Sequence, residues 1–196
     1  MTVIGLTGGI ASGKSTVSKF LAKHGFVIVD ADIASRKAVE KGSIGLEAIR
    51  TAFGDRVIQA DGSLDRKALG AIIFNDKAER EKLNEIVHPR VREIMEEEKA
   101  AGLALSKPVV MDIPLLFENK LEHTVEEVWV VYVPEVIQIE RLMSRNTLTI
   151  DEAKSRIASQ ISIEEKKQKA DKVIDNSGTL EDLYQQLEAL VKTYQK

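Results

Sequence analysis

Cysteine is absent from all 196 residues, which excludes a disulfide framework, thiolate metal ligands and a thiol nucleophile. An intracellular location is the simpler expectation for such a chain. Long apolar runs are also missing: nothing approaches the roughly 20 residues needed to span a bilayer. The N-terminus passes straight into Val3-Ile4-Gly5-Leu6, without the basic region and apolar stretch of a secretory leader. A soluble, cytoplasmic protein with no membrane partner is therefore expected. The formal net charge of −3 offers no global attraction for nucleic acid, so any phosphate binding must come from local placement. Internal repeats and low-complexity tracts are lacking as well. At this length one domain is the simplest organisation, large enough to bury its core without staples.

What is present is a phosphate-cradling string. Gly8 to Ser15 reads G-G-I-A-S-G-K-S, the pattern G-x-x-x-x-G-K-[ST], and it follows a strand-like apolar run. Glycines let the backbone turn tightly and aim successive N–H groups inward, and the positive end of the following helix favours a polyanion. That helix is legible from Thr16 onward, where Val17, Phe20 and Leu21 alternate with Lys19 and Lys23. Lys14 is expected to reach the β- and γ-phosphates, and the Ser15 hydroxyl to hold Mg²⁺.

Five short runs rich in β-branched residues recur: Val3 to Leu6, Phe26 to Val29, Val109 to Ile113, Val128 to Val133, and Val173-Ile174. They lack clean alternation, which suits strands buried on both faces, and helical patterns separate them. The expected fold is α/β: a three-layer, doubly wound, five-stranded parallel sheet with ligands outside the carboxyl ends of its strands. Two intervals are too long for simple crossovers. One stays helical from Asp30 to Leu105, with stripes at Leu46, Ile49, Ala52 and Phe53, at Leu69, Ile72 and Ile73, and at Leu83, Val87, Val91, Ile94 and Met95. Gly42, Gly54, Asp61-Gly62 and Asn75-Asp76 punctuate it, and Pro89 is expected to kink or end its helix. The other interval, from about Arg141 to Ala170, is strongly charged; Pro134 opens its first helix, and Thr149 with Glu152 forms a capping box for the next. A mobile lid and an ordinary solvated hairpin both suit it. Within the single domain of 1–196, the core spans about 1–30, 105–140 and 170–196, an inserted helical acceptor lobe about 31–104, and the helical lid about 141–169. The last segment, from Thr179, carries Leu180, Leu183, Tyr184, Leu187, Leu190 and Val191 at helical spacing and is expected to dock on the sheet.

A nucleotide switch would want D-x-x-G followed by N-K-x-D. The partial matches, D-N-S-G at Asp175 and N-K-L-E at Asn119, stand in the reverse order, and the second ends in Glu122. A small-molecule kinase instead needs an acceptor site, a group to take the hydroxyl proton and a cover over the phosphates. Asp30 and Asp32 end the second strand two residues apart, placed to serve an acceptor hydroxyl and Mg²⁺. The alternative is that Asp32 merely caps the helix from Ile33 while Asp30 faces solvent. Arg141 and Arg145 share a helix face and could neutralise a transferring phosphoryl group, or could be a solvated face paired with Glu140.

The ordered set Thr7 to Thr16, V-D-A-D (Val29 to Asp32), H-P-R-V (His88 to Val91), D-I-P-L-L-F-E (Asp112 to Glu118) and V-I-D-N-S-G (Val173 to Gly178) resembles dephospho-coenzyme A kinases over essentially the whole chain. The resemblance implies the P-loop NTPase type of fold and phosphorylation of the ribose 3′-hydroxyl of dephospho-CoA by ATP. It implies Asp32 as general base, with Lys14 and Arg145 as the other catalytic groups. Gly9, Ala11, Ser12, Gly13, Lys14, Ser15, Thr16, Arg141, Arg145 and Asn176 would bind ATP. The acceptor would meet Asp32, Arg66, His88, Pro89, Leu115, Leu116 and Glu118, although His88 before a proline, the leucine pair and Asn176 in a turn also have ordinary structural readings. Asp112 is a possible aid to Mg²⁺. Another P-loop small-acceptor kinase, for a nucleoside or nucleoside monophosphate, is the second reading. The expected partners are ATP and dephospho-CoA, and a monomer is favoured.

Overall fold

The computed structural model describes residues 2–74 and 76–194; Asn75, one of the expected punctuation residues, lies outside them. In chain order the elements are β1 (Val3–Gly8), α1 (Lys14–Lys23), β2 (Val27–Asp30), α2 (Ala31–Lys37), α3 (Ile44–Phe53), α4 (Arg66–Ile73), α5 (Lys77–Ala104), β3 (Val109–Asp112), β4 (Glu127–Tyr132), α6 (Glu135–Asn146), α7 (Ile150–Ala158), α8 (Ile163–Lys169), β5 (Lys172–Asp175) and α9 (Leu180–Lys192). The five strands form one parallel sheet in the order β2-β3-β1-β4-β5. Strand alternation sends Ile4, Leu6, Val110, Trp129 and Val131 to one face, where α1 (Val17, Phe20, Leu21) and α9 (Leu183, Leu187, Val191) cover them. Gly5 and Val109 point to the other face, against Leu116 and against Gly102 near the end of α5. Helices, sheet and helices make the expected three layers.

Met1–Val29 with Lys99–Lys196 form one compact unit, and Asp30–Glu98 form a second. The second has its own core, in which Leu46, Ile49, Phe53, Val57 and Leu69 meet Leu83, Val87, Val91 and Ile94. Pro89 does not end its helix: α5 runs through it from Lys77 to Ala104. Proline removes one N–H, leaving the Glu85 carbonyl without its partner, but the apolar contacts of Ile86, Val87, Val91 and Ile94 on both sides hold the helix together. Around Gly62 the chain leaves the helical pattern for a single antiparallel bridge, Ile58 to Leu64. Thr149 and Glu152 make the expected capping box of α7. No helix among the described residues is long and apolar enough to cross a membrane.

Candidate nucleotide site

β1 leads into the phosphate-binding loop and α1 leaves it. The turn is made by Ala11 (φ 61°) and Gly13 (φ 89°), both left-handed. Glycine suits position 13, because its left-handed backbone strains any other residue and a Cβ would displace Asn176 Nδ2. Ala11 has no such freedom, and holding an alanine there costs about 1–3 kcal/mol. Bonds from Ser12 N–H to Gly9 O (3.1 Å) and from Thr16 N–H to Gly13 O (2.9 Å) brace the loop. The N–H groups of Ala11, Gly13, Lys14 and Ser15 make no hydrogen bond among the described residues. Unpaired donors at the positive end of α1 are a ready site for a polyanion.

The Lys14 ammonium pairs with the Asp112 carboxylate at the end of β3, whose second oxygen accepts from the Ser18 hydroxyl. Asp112 is only 2% exposed, and a buried carboxylate needs such partners. On the other side of the loop, the Ser12 carbonyl accepts from Asn176 Nδ2 (2.8 Å) and Arg141 Nη1 (3.5 Å), while Arg141 Nη2 donates to Asn176 O (2.9 Å). Arg141 and Asn176 thus lie against the loop. Arg145 does not: it is exposed on the last turn of α6, with Nε on Asn146 Oδ1 at 2.9 Å. The Ser15 side chain is exposed and its hydroxyl makes no hydrogen bond among the described residues.

Of the residues after β3, Leu115 is partly exposed, whereas Leu116 is wholly interior and packs over Gly5. Leu116 is therefore a packing residue with no surface to offer an acceptor. Glu118 is engaged by the chain itself: its Oε1 lies 2.8 Å from Lys166 Nζ and accepts from Ile161 N–H at 3.1 Å.

In the second unit, Asp30 Oδ1 accepts from Asp32 N–H (2.8 Å) and Ile33 N–H (3.0 Å). Asp30 is therefore the cap of α2, the reverse of the alternative in which Asp32 caps. Asp32 sits in the first turn, exposed, with its carboxylate free of partners among the described residues. Arg66 lines a cavity of about 560 Å³ together with Arg36, Lys41 and Lys67. His88 and Pro89 line an open hollow of about 460 Å³ on α5 with Glu81, Asn84, Glu85 and Arg92.

The sequence profile of the dephospho-CoA kinase family matches residues 2–182. This chain belongs to the dephospho-CoA kinase family. The dephospho-CoA kinase of Staphylococcus haemolyticus is 60% identical over 96% of this chain and 94% of its own length. That of Staphylococcus saprophyticus is 59% identical over 96% and 92%. Among solved structures, the dephospho-CoA kinase of Campylobacter jejuni superposes with a TM-score of 0.76 at 32% identity, covering 97% of this chain and 95% of that one. TT1252 of Thermus thermophilus gives 0.82 at 35% identity, over 100% and 98%. A shikimate kinase of Bacteroides thetaiotaomicron, 15% identical with a TM-score of 0.50, shares the fold.

Membership in the dephospho-CoA kinase family makes the chain a phosphotransferase with a nucleotide-binding fold. Several residues around that loop carry no sequence signal. Lys166 is fully buried, with Nζ 3.4 Å from Gly8 O and 3.3 Å from Pro114 O besides Glu118. Gln138 and Gln160 bond the backbone of Ile10. α8 is further tied to β4: the Tyr132 hydroxyl donates to Glu164 at 2.6 Å, and that bond, with burial and the Glu164 charge, holds the phenol above its ordinary 10.0. The only faint clue in the sequence is spacing, because Ile163 and Lys166 fall on the same face of α8.

Proposed function

We propose that this protein transfers the γ-phosphoryl group of ATP to the ribose 3′-hydroxyl of dephospho-CoA, giving coenzyme A, in the cytoplasm. The carrying observation is membership in the dephospho-CoA kinase family along nearly the whole chain, at 60% identity to a named relative. The loop supports the donor half: unpaired N–H groups and Lys14 receive the phosphates, with Lys14 leaving Asp112 for the nucleotide. Mg²⁺ fits this site through oxygen. No cluster of three His, Cys, Asp or Glu side chains suited to a metal occurs among the described residues, and Mg²⁺ in kinases is held by few protein ligands and the substrate phosphates. The Ser15 hydroxyl, exposed and without a hydrogen bond among the described residues, would hold the ion, which would supply positive charge against the phosphates.

Asp32, whose carboxylate has no partner among the described residues, takes the acceptor proton. Arg66, His88, Pro89 and Leu115 are assigned to the acceptor, and Arg145 to the charge that develops on transfer, reached when the segment of about 141–169 acts as a lid. Alignment and electrostatics supply most of the rate, since a loose transition state leaves little covalent work. The test is to offer ATP and Mg²⁺ with dephospho-CoA, AMP, nucleosides and small alcohols, and to identify the product by mass. Dephospho-CoA is expected to gain one phosphoryl group. Phosphorylation of AMP with dephospho-CoA untouched would overturn the assignment.

A further inference from the structure

Ile10 stands in the middle of the phosphate loop, and its backbone is held from both sides. Gln160, just beyond α7, accepts from the Ile10 N–H at 3.0 Å, and Gln138 on α6 donates from Nε2 to the Ile10 carbonyl at 2.8 Å. Gln138 is 1% exposed, so packing fixes its amide. A Cβ on Gly9 would strike that same Nε2, so loop and glutamine approach as closely as glycine permits.

Within a planar trans peptide the carbonyl and the next N–H point to opposite sides. Holding the Ile10 carbonyl on Gln138 therefore turns the Ala11 N–H away from Gln138. That N–H is one of the loop donors that make no hydrogen bond among the described residues. The same restraint acts on the peptide that precedes Ala11, whose left-handed backbone is unfavourable for an alanine.

We propose that Gln138 and Gln160 are positioning residues of the nucleotide site, which preset the peptides flanking Ile10 so that the Ala11 N–H already faces a phosphate oxygen before ATP binds. The proposal rests on ATP being the donor. Gln160 is itself held in place by its neighbour, because Ile161 N–H bonds to Glu118 Oε1, the oxygen that also takes Lys166 Nζ. Lys166 in turn reaches Gly8 O at the loop's first residue. Leu142, Ala153 and Ile157 pack with Ile10 and Ala11. The α6 to α8 segment thus docks on the loop through Ile10, and displacing it would release the Ala11 peptide. Preorganised donors avoid reorganisation when the ligand arrives.

The test uses full-length Gln160→Met and Gln138→Met. ATP with Mg²⁺ is titrated calorimetrically without an acceptor, and KM is measured separately for ATP and for dephospho-CoA. Gln160→Met removes the acceptor of a backbone N–H and should weaken ATP binding on the order of tenfold. The KM for ATP should rise with it, and the KM for dephospho-CoA should stay unchanged. ATP affinity equal to the wild type would overturn the proposal whatever the melting temperature, since a purely structural role lowers stability without touching the affinity of the folded protein. A matching loss for both substrates would overturn it too. Should Gln138→Met fail to fold, Gln160→Met decides, its side chain lying beyond the helix and only partly buried. Because the titration needs no acceptor, a wild type that binds ATP yet leaves dephospho-CoA unmodified would refute the assigned reaction while leaving this test intact.

Discussion

The Asp30 carboxylate is committed to the N–H groups of Asp32 and Ile33, whereas the Asp32 carboxylate has no partner among the described residues. Asparagine caps a helix nearly as well as aspartate. Asp30→Asn should therefore keep both melting temperature and turnover close to wild type. Asp32→Asn should lower turnover by ~10² or more while ATP binding survives, as expected for a lost general base; a loss below about threefold in steady-state assays would remove Asp32 from the chemistry. Two lysines of α8 make a parallel contrast. Lys166 is fully buried against Glu118, and Lys169 is half exposed beside Glu165. Lys166→Met leaves Glu118 without its cation and should destabilise by about 3–5 kcal/mol in urea unfolding. Lys169→Met should leave the urea midpoint close to that of the wild type, because a solvated ion pair contributes little. Sequence could not tell these two apart, because both stand in the run I-E-E-K-K-Q-K and burial depends on which distant carbonyls the helix meets.

Whole elements were far more legible than single partners. Strand positions, the cap of α7, the helix opened by Pro134 and the stripe of α9 follow from local rules of periodicity and capping, and the structure has them. α9 shows how far that reaches. Leu183, Leu187 and Val191 are buried against the sheet, and Leu180, of the same apolar series, is 51% exposed. Leu187→Ala should cost about 2–5 kcal/mol by opening a cavity under the sheet. Leu180→Ala should stay within about 0.5 kcal/mol, and the ratio of the two in denaturant titrations measures the docking of α9. Pro89 marks where local rules stop: the residue that breaks helices in isolation is carried through α5 by apolar contacts on both sides.

At the scale of the molecule, one charged cluster ties β4, β5 and the end of the chain together. Glu127 accepts from Trp129 Nε1 at 3.1 Å and from Tyr194, and it lies 3.1 Å from Lys172 Nζ. Burial pushes the Glu127 carboxyl up, but the hydrogen bonds from Tyr194, Trp129 and Lys172 and the Lys172 charge outweigh it and hold the group below its ordinary 4.5. Burial pushes Lys172 down, yet its bonds to Tyr194 and Glu127 and the Glu127 charge hold it above its ordinary 10.5. The carboxylate's contribution is present above the unfolded value and lost as pH falls through the folded one; the lysine's is present below 10.5 and lost only as pH rises through its raised value. Glu127→Gln should therefore melt lower than wild type at neutral pH, and its melting temperature should fall less steeply below about pH 4.5. The strand positions, the helical run between β2 and β3 and the family were readable from the chain alone, because hydrophobic period and ordered motifs act over short stretches. Which charges are buried, which aspartate caps, why Leu116 is interior and why two unremarkable glutamines hold Ile10 came from the packed molecule. Each of those depends on a segment distant in sequence that removes water and supplies, or withholds, the partner that a desolvated polar group requires.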